Sequence, residues 1–136
     1  MPVRSAPGLL FSLDMGSGVP VYRQIIDQVT AGIASGAVGP GYQLPTVRQL
    51  AVDLSVNPNT VVRAWRELEL GGLVETHQGT GTFIRAQKPR SSDAERARQL
   101  ALIAGEFVAR AGAAGFTVDD LIQQLYEFAA DPAHRR

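Results

Sequence analysis

The sequence predicts a mainly α-helical fold with one small β-hairpin, and three observations predict it. Apolar residues recur at helical spacing in five separate stretches. Capping residues, glycines and prolines punctuate those stretches where helices begin and stop. A single pair of short β-patterned runs, joined by a glycine-bearing loop, follows the third stretch.

Taken in order, residues 1–18 hold Pro2, Pro7, Gly8, Gly16 and Gly18 around the run Leu9–Leu13, which reads as a mobile tip, a short extended segment and a turn. Gly18-Val19-Pro20 opens the first helix, where a missing proline N–H costs little. Its stripe is Val21, Ile25, Ile26, Val29 and Ile33, with Tyr22 on the edge, and Ser35-Gly36 ends it. After a loop at Val38-Gly39-Pro40-Gly41-Tyr42, Thr46 caps a second, short helix with Val47, Leu50, Ala51 and Leu54 at i, i+3, i+4, i+7. Ser55-Val56 makes a turn. Asn57 then caps a third helix with Pro58 at its first position, and Val61, Ala64, Trp65 and Leu68 repeat the same spacing up to Gly71-Gly72.

Leu73–Thr76 and Thr82–Arg85 read as strands around the loop His77-Gln78-Gly79-Thr80-Gly81. A linker at Ala86–Ser91 follows. Ser92 with Glu95 forms a capping-box pattern for a long helix to about Ala111, broken by Gly112 and Gly115. Thr117 with Asp120 starts a last helix that ends near Asp131-Pro132. Helices two and three, a turn of about three residues apart, have the layout of a helix-turn-helix, and the hairpin stands where a wing would be. The expected organisation is a winged helix-turn-helix over 1–88, then a linker and a two-helix dimerisation segment over 89–136.

Composition narrows the function. The 136 residues are 45% hydrophobic and 19% charged, with no cysteine, which excludes disulfides, thiolate metal sites and cysteine catalysis. No run approaches the ~20 apolar residues of a membrane span, so a cytoplasmic protein without membrane contact is expected. His77 and His134 fit neither a metal-ligand nor a triad spacing, and Gly79-x-Gly81 lacks the third glycine and the strand-to-helix setting of a dinucleotide loop. Asp119-Asp120 is a helix first turn. These residues argue against an enzyme and call for no cofactor. Net charge is zero, although residues 1–90 carry 8 basic against 6 acidic side chains. A nucleic-acid reading therefore rests on where particular arginines fall.

On the third helix, at ~100° per residue, Asn59, Arg63 and Arg66 lie opposite the apolar set. An amide and two guanidinium groups suit adenine and guanine edges or phosphate. Asn57 and Thr60 sit at the helix start, which in this motif enters the major groove. The alternative is a solvated face with Arg63 and Arg66 paired to Glu67 or Glu69. Arg48 lies in the first turn of helix two, where a cation opposes the helix dipole and a phosphate held between them would reverse that disadvantage. Gln78, Gly79 and Thr80 stand at the hairpin tip, where glycine lets a backbone approach closely.

Leu44-Pro45-Thr46-Val47-Arg48-Gln49-Leu50-Ala51, Val56-Asn57-Pro58-Asn59-Thr60-Val61, Glu67-Leu68, Gly72-Leu73-Val74 and Gly79-Thr80-Gly81-Thr82-Phe83 follow one another in a specific order. From Val19 to Ile84 the chain resembles the GntR family of bacterial regulators. The opening Gly18-Val19-Pro20-Val21-Tyr22-Arg23-Gln24-Ile25 and the Val-Asn-Pro-Asn-Thr turn look like its short YtrA-like subgroup. The resemblance implies a transcription regulator, a repressor by expectation, on a double-stranded DNA operator, with Arg48, Asn57, Asn59, Thr60 and Gly79 as contacts. The chain departs from many members by carrying Pro58 and Val62 where they carry arginine.

The last 46 residues are too few for the large effector domains of that family. The long helix lines up Ala97, Leu100, Ala101, Ala104, Phe107, Val108 and Ala111; the last adds Val118, Leu121, Ile122, Leu125, Tyr126 and Phe128. Two helices cannot bury this surface alone. Pairing in a homodimer through Leu100, Ala101, Ala104, Phe107, Val108, Leu121 and Leu125 is expected, since dimers match two half-sites. Packing on the chain's own winged domain is the alternative.

Overall fold

The computed structural model describes residues 3–6, 9–87 and 91–129. The linker residues Lys88, Pro89 and Arg90, the helix end near Asp131-Pro132, His134, and Met1, Pro2, Pro7 and Gly8 lie outside the described residues. The elements run β1 (Val3–Ala6), β2 (Leu9–Phe11), α1 (Val21–Ser35), α2 (Val47–Leu54), α3 (Pro58–Leu70), β3 (Val74–His77), β4 (Gly81–Ile84), α4 (Asp93–Ala113) and α5 (Val118–Ala129). They form two compact units, Met1–Gln87 and Lys88–Arg136.

In the first unit, the apolar stripes read from the sequence converge. Ile25 and Val29 of α1, Leu50 and Ala51 of α2, and Val61, Ala64 and Leu68 of α3 are buried, and Val74 and Ile84 of the hairpin close the core. The turn between α2 and α3 is held by Val56 N donating to the Ala51 carbonyl at 3.0 Å, with Ser55 in the left-handed conformation at φ 57. Thr46 and Asn57 cap α2 and α3 as expected: the Thr46 hydroxyl accepts from Gln49 N and the Asn57 carboxamide from Asn59 N. In the wing β3 pairs with β4 antiparallel, Val74 opposite Ile84 and His77 opposite Gly81, one residue later and earlier than expected.

A second hairpin lies at the N-terminus, where only one short extended segment was expected. β1 pairs antiparallel with β2, and Leu9 and Phe11 are buried in the core while Leu10 between them is exposed. The chain beyond β2 is tied to α1 by two glutamines one turn apart. Gln28 accepts from Ser12 N at 2.9 Å and donates to its carbonyl at 2.6 Å. Gln24, nearly buried, accepts from Asp14 N at 2.8 Å and donates to its carbonyl at 2.9 Å. Residues two apart on an extended chain and four apart on a helix each face one way, so the two periods match. Carboxamides here stand in for a neighbouring strand.

The second unit is a helix pair. The Ser92 hydroxyl accepts from Glu95 N at 3.2 Å, while the Glu95 carboxylate turns to Arg98 at 3.0 Å rather than back to the helix start. α4 runs two residues past the expected end, taking Gly112 into its last turn. Gly115, at φ 90, stops it, with Phe116 N donating to the Ala111 carbonyl at 2.8 Å. At α5 the reciprocal cap is complete: Thr117 N donates to the Asp120 carboxylate at 2.9 Å and Asp120 N to the Thr117 hydroxyl at 3.1 Å. The Thr117 amide, then its hydroxyl, hold the Asp120 carboxyl below its usual range. No residue of α4 or α5 is buried among those described, and Leu100, Phe107, Phe116, Leu125, Tyr126 and Phe128 are each at least half exposed. No single described helix is long and apolar enough to cross a membrane.

Candidate nucleic-acid interface

The outward side of α3 is what helical geometry leaves once Val61, Ala64, Trp65 and Leu68 turn inward. Asn59, Val62, Arg63 and Arg66 are exposed on it, and Thr60 is half-buried. Asn57 is exposed at the helix start, with its carboxamide oxygen 2.8 Å from Asn59 N. That residue builds the end of the helix as well as lying on the candidate surface.

The arginines are not equivalent. Arg63 lies across α1: its guanidinium carbon sits 3.7 Å from the Tyr22 ring centroid, and its Nε donates to Glu67 Oε2 at 3.3 Å. The other oxygen of Glu67 is 4.0 Å from Arg23 of α1. The pairing of Arg63 with Glu67 considered from sequence is thus made, with an aromatic contact added. Among the described residues neither Arg66 nor Arg48 has an ion pair.

Arg48 occupies the second position of α2, beside backbone N–H groups that have no intrahelical acceptor. A cation there costs the free helix a few tenths of a kcal/mol, and a phosphate oxygen meeting both would turn the cost into attraction. Arg48→Ala is expected to leave thermal stability unchanged or slightly higher. It is expected to weaken binding to operator and unrelated DNA alike, and to make the slope of log affinity against log salt shallower by about one unit. Isotherms at four salt concentrations check this; an unchanged slope removes Arg48 from the surface.

In the wing, Thr80 N donates to the His77 carbonyl at 2.9 Å, closing a turn in which Gly79 alone has positive φ, at 80°. That is the type II requirement at the third position. A Cβ built on Gly79 meets nothing within 4 Å, so only the backbone angle objects to a side chain. Gly81, at φ 138, differs: its Cβ would come 2.5 Å from Gln43 Nε2. Gln78, Gly79 and Thr80 are exposed.

These differences make Gly79 testable without confusing fold and contact. Asparagine tolerates the left-handed region better than alanine. Gly79→Asn is expected to melt near the parent temperature and to bind operator at least about ten-fold more weakly, about 1.4 kcal/mol, because its side chain would stand between wing and sugar-phosphate. Unchanged binding by the normally folded variant removes Gly79 from the contact surface. Gly81→Ala, which displaces Gln43, is expected to disturb the hairpin itself.

The model of bacterial regulatory proteins of the gntR family matches residues 21–84. The chain is 43% identical over 113 residues to the HTH-type transcriptional regulator Rv1152 of Mycobacterium tuberculosis, covering 83% of this chain and 88% of that protein. The chain belongs to the GntR family. Within this family it is YtrA-like: it is 33% identical to the HTH-type transcriptional repressor YtrA of Bacillus subtilis over 90% of this chain and 94% of that one. Among solved structures it is similar to a transcriptional antiterminator from Listeria monocytogenes, at TM-score 0.67 and 26% identity over 88% of this chain and 89% of that chain. The GntR-family chain is therefore a transcription regulator with a DNA-binding helix-turn-helix, not an enzyme.

Three residues beside this surface escaped the sequence reading as members of it. Tyr22 was legible as the edge of a core stripe and a residue of the opening motif, and Glu67 as an ion-pair partner and motif residue, neither as part of the surface. Gln43 was not singled out at all. It bridges to Phe83 of β4 outside any named strand, and its Nε2 donates to the Thr80 carbonyl at 3.1 Å, supporting the wing tip. A one-residue bridge has no period, so no pattern announces it.

Proposed function

We propose that this GntR-family regulator is a cytoplasmic, sequence-specific repressor that binds a double-stranded DNA operator as a homodimer. The observation that carries the reading is the outward row of α3. Asn59, Arg63 and Arg66 offer amide and guanidinium groups on one exposed face, with Asn57 and Thr60 at the helix start. Arg48 on α2 and Gln78, Gly79 and Thr80 on the wing would add backbone contacts, which fix register without reading sequence. The relative YtrA, named a repressor, supports the sign of regulation.

In this proposal the winged unit, residues 1–88, reads DNA, and the linker and helix pair, residues 89–136, dimerise; a division into compact units at Gln87 and Lys88 supports it. The exposure of the apolar residues on α4 and α5 supports this. Leu100, Ala101, Ala104, Phe107 and Val108 of α4 and Leu121 and Leu125 of α5 are the proposed contacts. No cofactor or membrane has a part in this scheme.

Fluorescence anisotropy against the chain's own promoter and a scrambled duplex tests the reading. Specific regulators bind their sites typically 10³-fold or more tighter than unrelated DNA at physiological salt. Equal affinities would instead mark an architectural binder. A promoter complex that raised transcript yield in vitro would reverse the assignment as repressor.

A further inference from the structure

We propose that Tyr22 on α1 is a positioning residue for base recognition, holding Arg63 of α3 so that its outer edge meets a guanine. The inference rests on the DNA-binding reading above and assigns a specificity role to a helix outside the helix-turn-helix pair.

An exposed arginine is mobile by default. Its long side chain samples many rotamers, and a contact to a base must offset the entropy of fixing them. Arg63 is exposed, at 61% of its side-chain surface, yet two elements hold it. Its guanidinium carbon lies 3.7 Å from the Tyr22 ring centroid, within reach of the ring's negative face. Its Nε is bonded to Glu67 at 3.3 Å. Glu67 is drawn from the other side by Arg23, at 4.0 Å, the neighbour of Tyr22 on α1. Two consecutive residues of α1 therefore grip two residues one turn apart on α3.

What the grip leaves open is informative. One face of the guanidinium and its Nε are engaged, while the two terminal nitrogens donate to nothing among the described residues. Those nitrogens form the fork that pairs with guanine O6 and N7. A cation–π staple serving only to pin α1 to α3 would be indifferent to which DNA is bound. A buttressed reading arginine would not.

The test uses the full chain and separates these cases. Tyr22 is partly buried against the core, so Tyr22→Leu keeps apolar bulk and removes the ring, while Tyr22→Phe keeps the ring. Each variant, alone and combined with Arg63→Ala, is titrated on operator and on scrambled duplex, with melting curves alongside. Tyr22→Leu is expected to bind operator about five- to ten-fold more weakly with scrambled DNA unaffected; Tyr22→Phe is expected to match the parent. In the Arg63→Ala background, Tyr22→Leu is expected to add nothing. An equal loss with and without Arg63, or an equal loss on both duplexes, overturns the proposal, and so does a Tyr22→Leu chain that discriminates as well as the parent. A parent that does not itself discriminate overturns the DNA reading underneath, a distinct result.

Discussion

A chain ending at Gln87 is expected to sediment as a monomer and to bind operator about 10²- to 10⁴-fold more weakly than the full chain. The magnitude is that of linkage: two half-site contacts joined in one dimer act intramolecularly, and separating them loses that avidity without removing any contact to DNA. The shortened chain is expected to remain folded, because Ile25, Val29, Leu50, Val61, Leu68, Val74 and Ile84 form a core within Met1–Gln87. The removed helices carry Phe107 at 50% exposure and Leu125 at 55%, apolar side chains that a second copy would cover. Phe107→Glu in the full chain is expected to reproduce the monomer. Sedimentation and circular dichroism check both; a shortened chain that stays dimeric moves the interface into the winged unit.

Phe11→Ala is expected to destabilise the winged unit by about 3–5 kcal/mol, a large part of the 5–15 kcal/mol that holds a domain folded. Phe11 is fully buried, its ring centroid 6.4 Å from that of Trp65 on the inner side of α3. Deleting the ring leaves a cavity beneath α3. Leu10, the adjacent residue on β2, is half exposed, and Leu10→Ala is expected to shift stability by no more than about 0.5 kcal/mol. Urea denaturation of the two variants compares them directly. Equal midpoints would mean that the N-terminal strand is not part of the core.

The prediction on Phe11 also marks where sequence reading stopped. The helices were legible because each buries one stripe, as Val61, Ala64, Trp65 and Leu68 do on α3, and because Thr46, Asn57, Ser92 and Thr117 announce helix starts by side-chain chemistry. The outward row Asn59, Arg63 and Arg66 followed as the complement of the stripe. The docking of β2 was not legible, since Leu9 and Phe11 alternate over too few residues to give a period. The glutamines that tie the following chain down, Gln24 and Gln28, look like ordinary polar residues of α1. The contact of Arg63 with Tyr22 was hidden for a related reason: it joins residues far apart in the chain on two different helices, and local spacing cannot report which side chains meet across a packed pair.

If two copies of the chain read two half-sites with their α3 helices, as proposed, affinity must depend on the spacing of those half-sites. Binding is measured on an operator first located by footprinting the chain's own promoter, and on a version with five base pairs inserted between half-sites, about half a turn of DNA. The insertion turns the second half-site to the opposite face of the duplex. The full chain is expected to fall to the affinity of an operator bearing one half-site, while the chain ending at Gln87 binds both duplexes equally. A full chain that holds its affinity across the insertion would rule out paired reading of two half-sites.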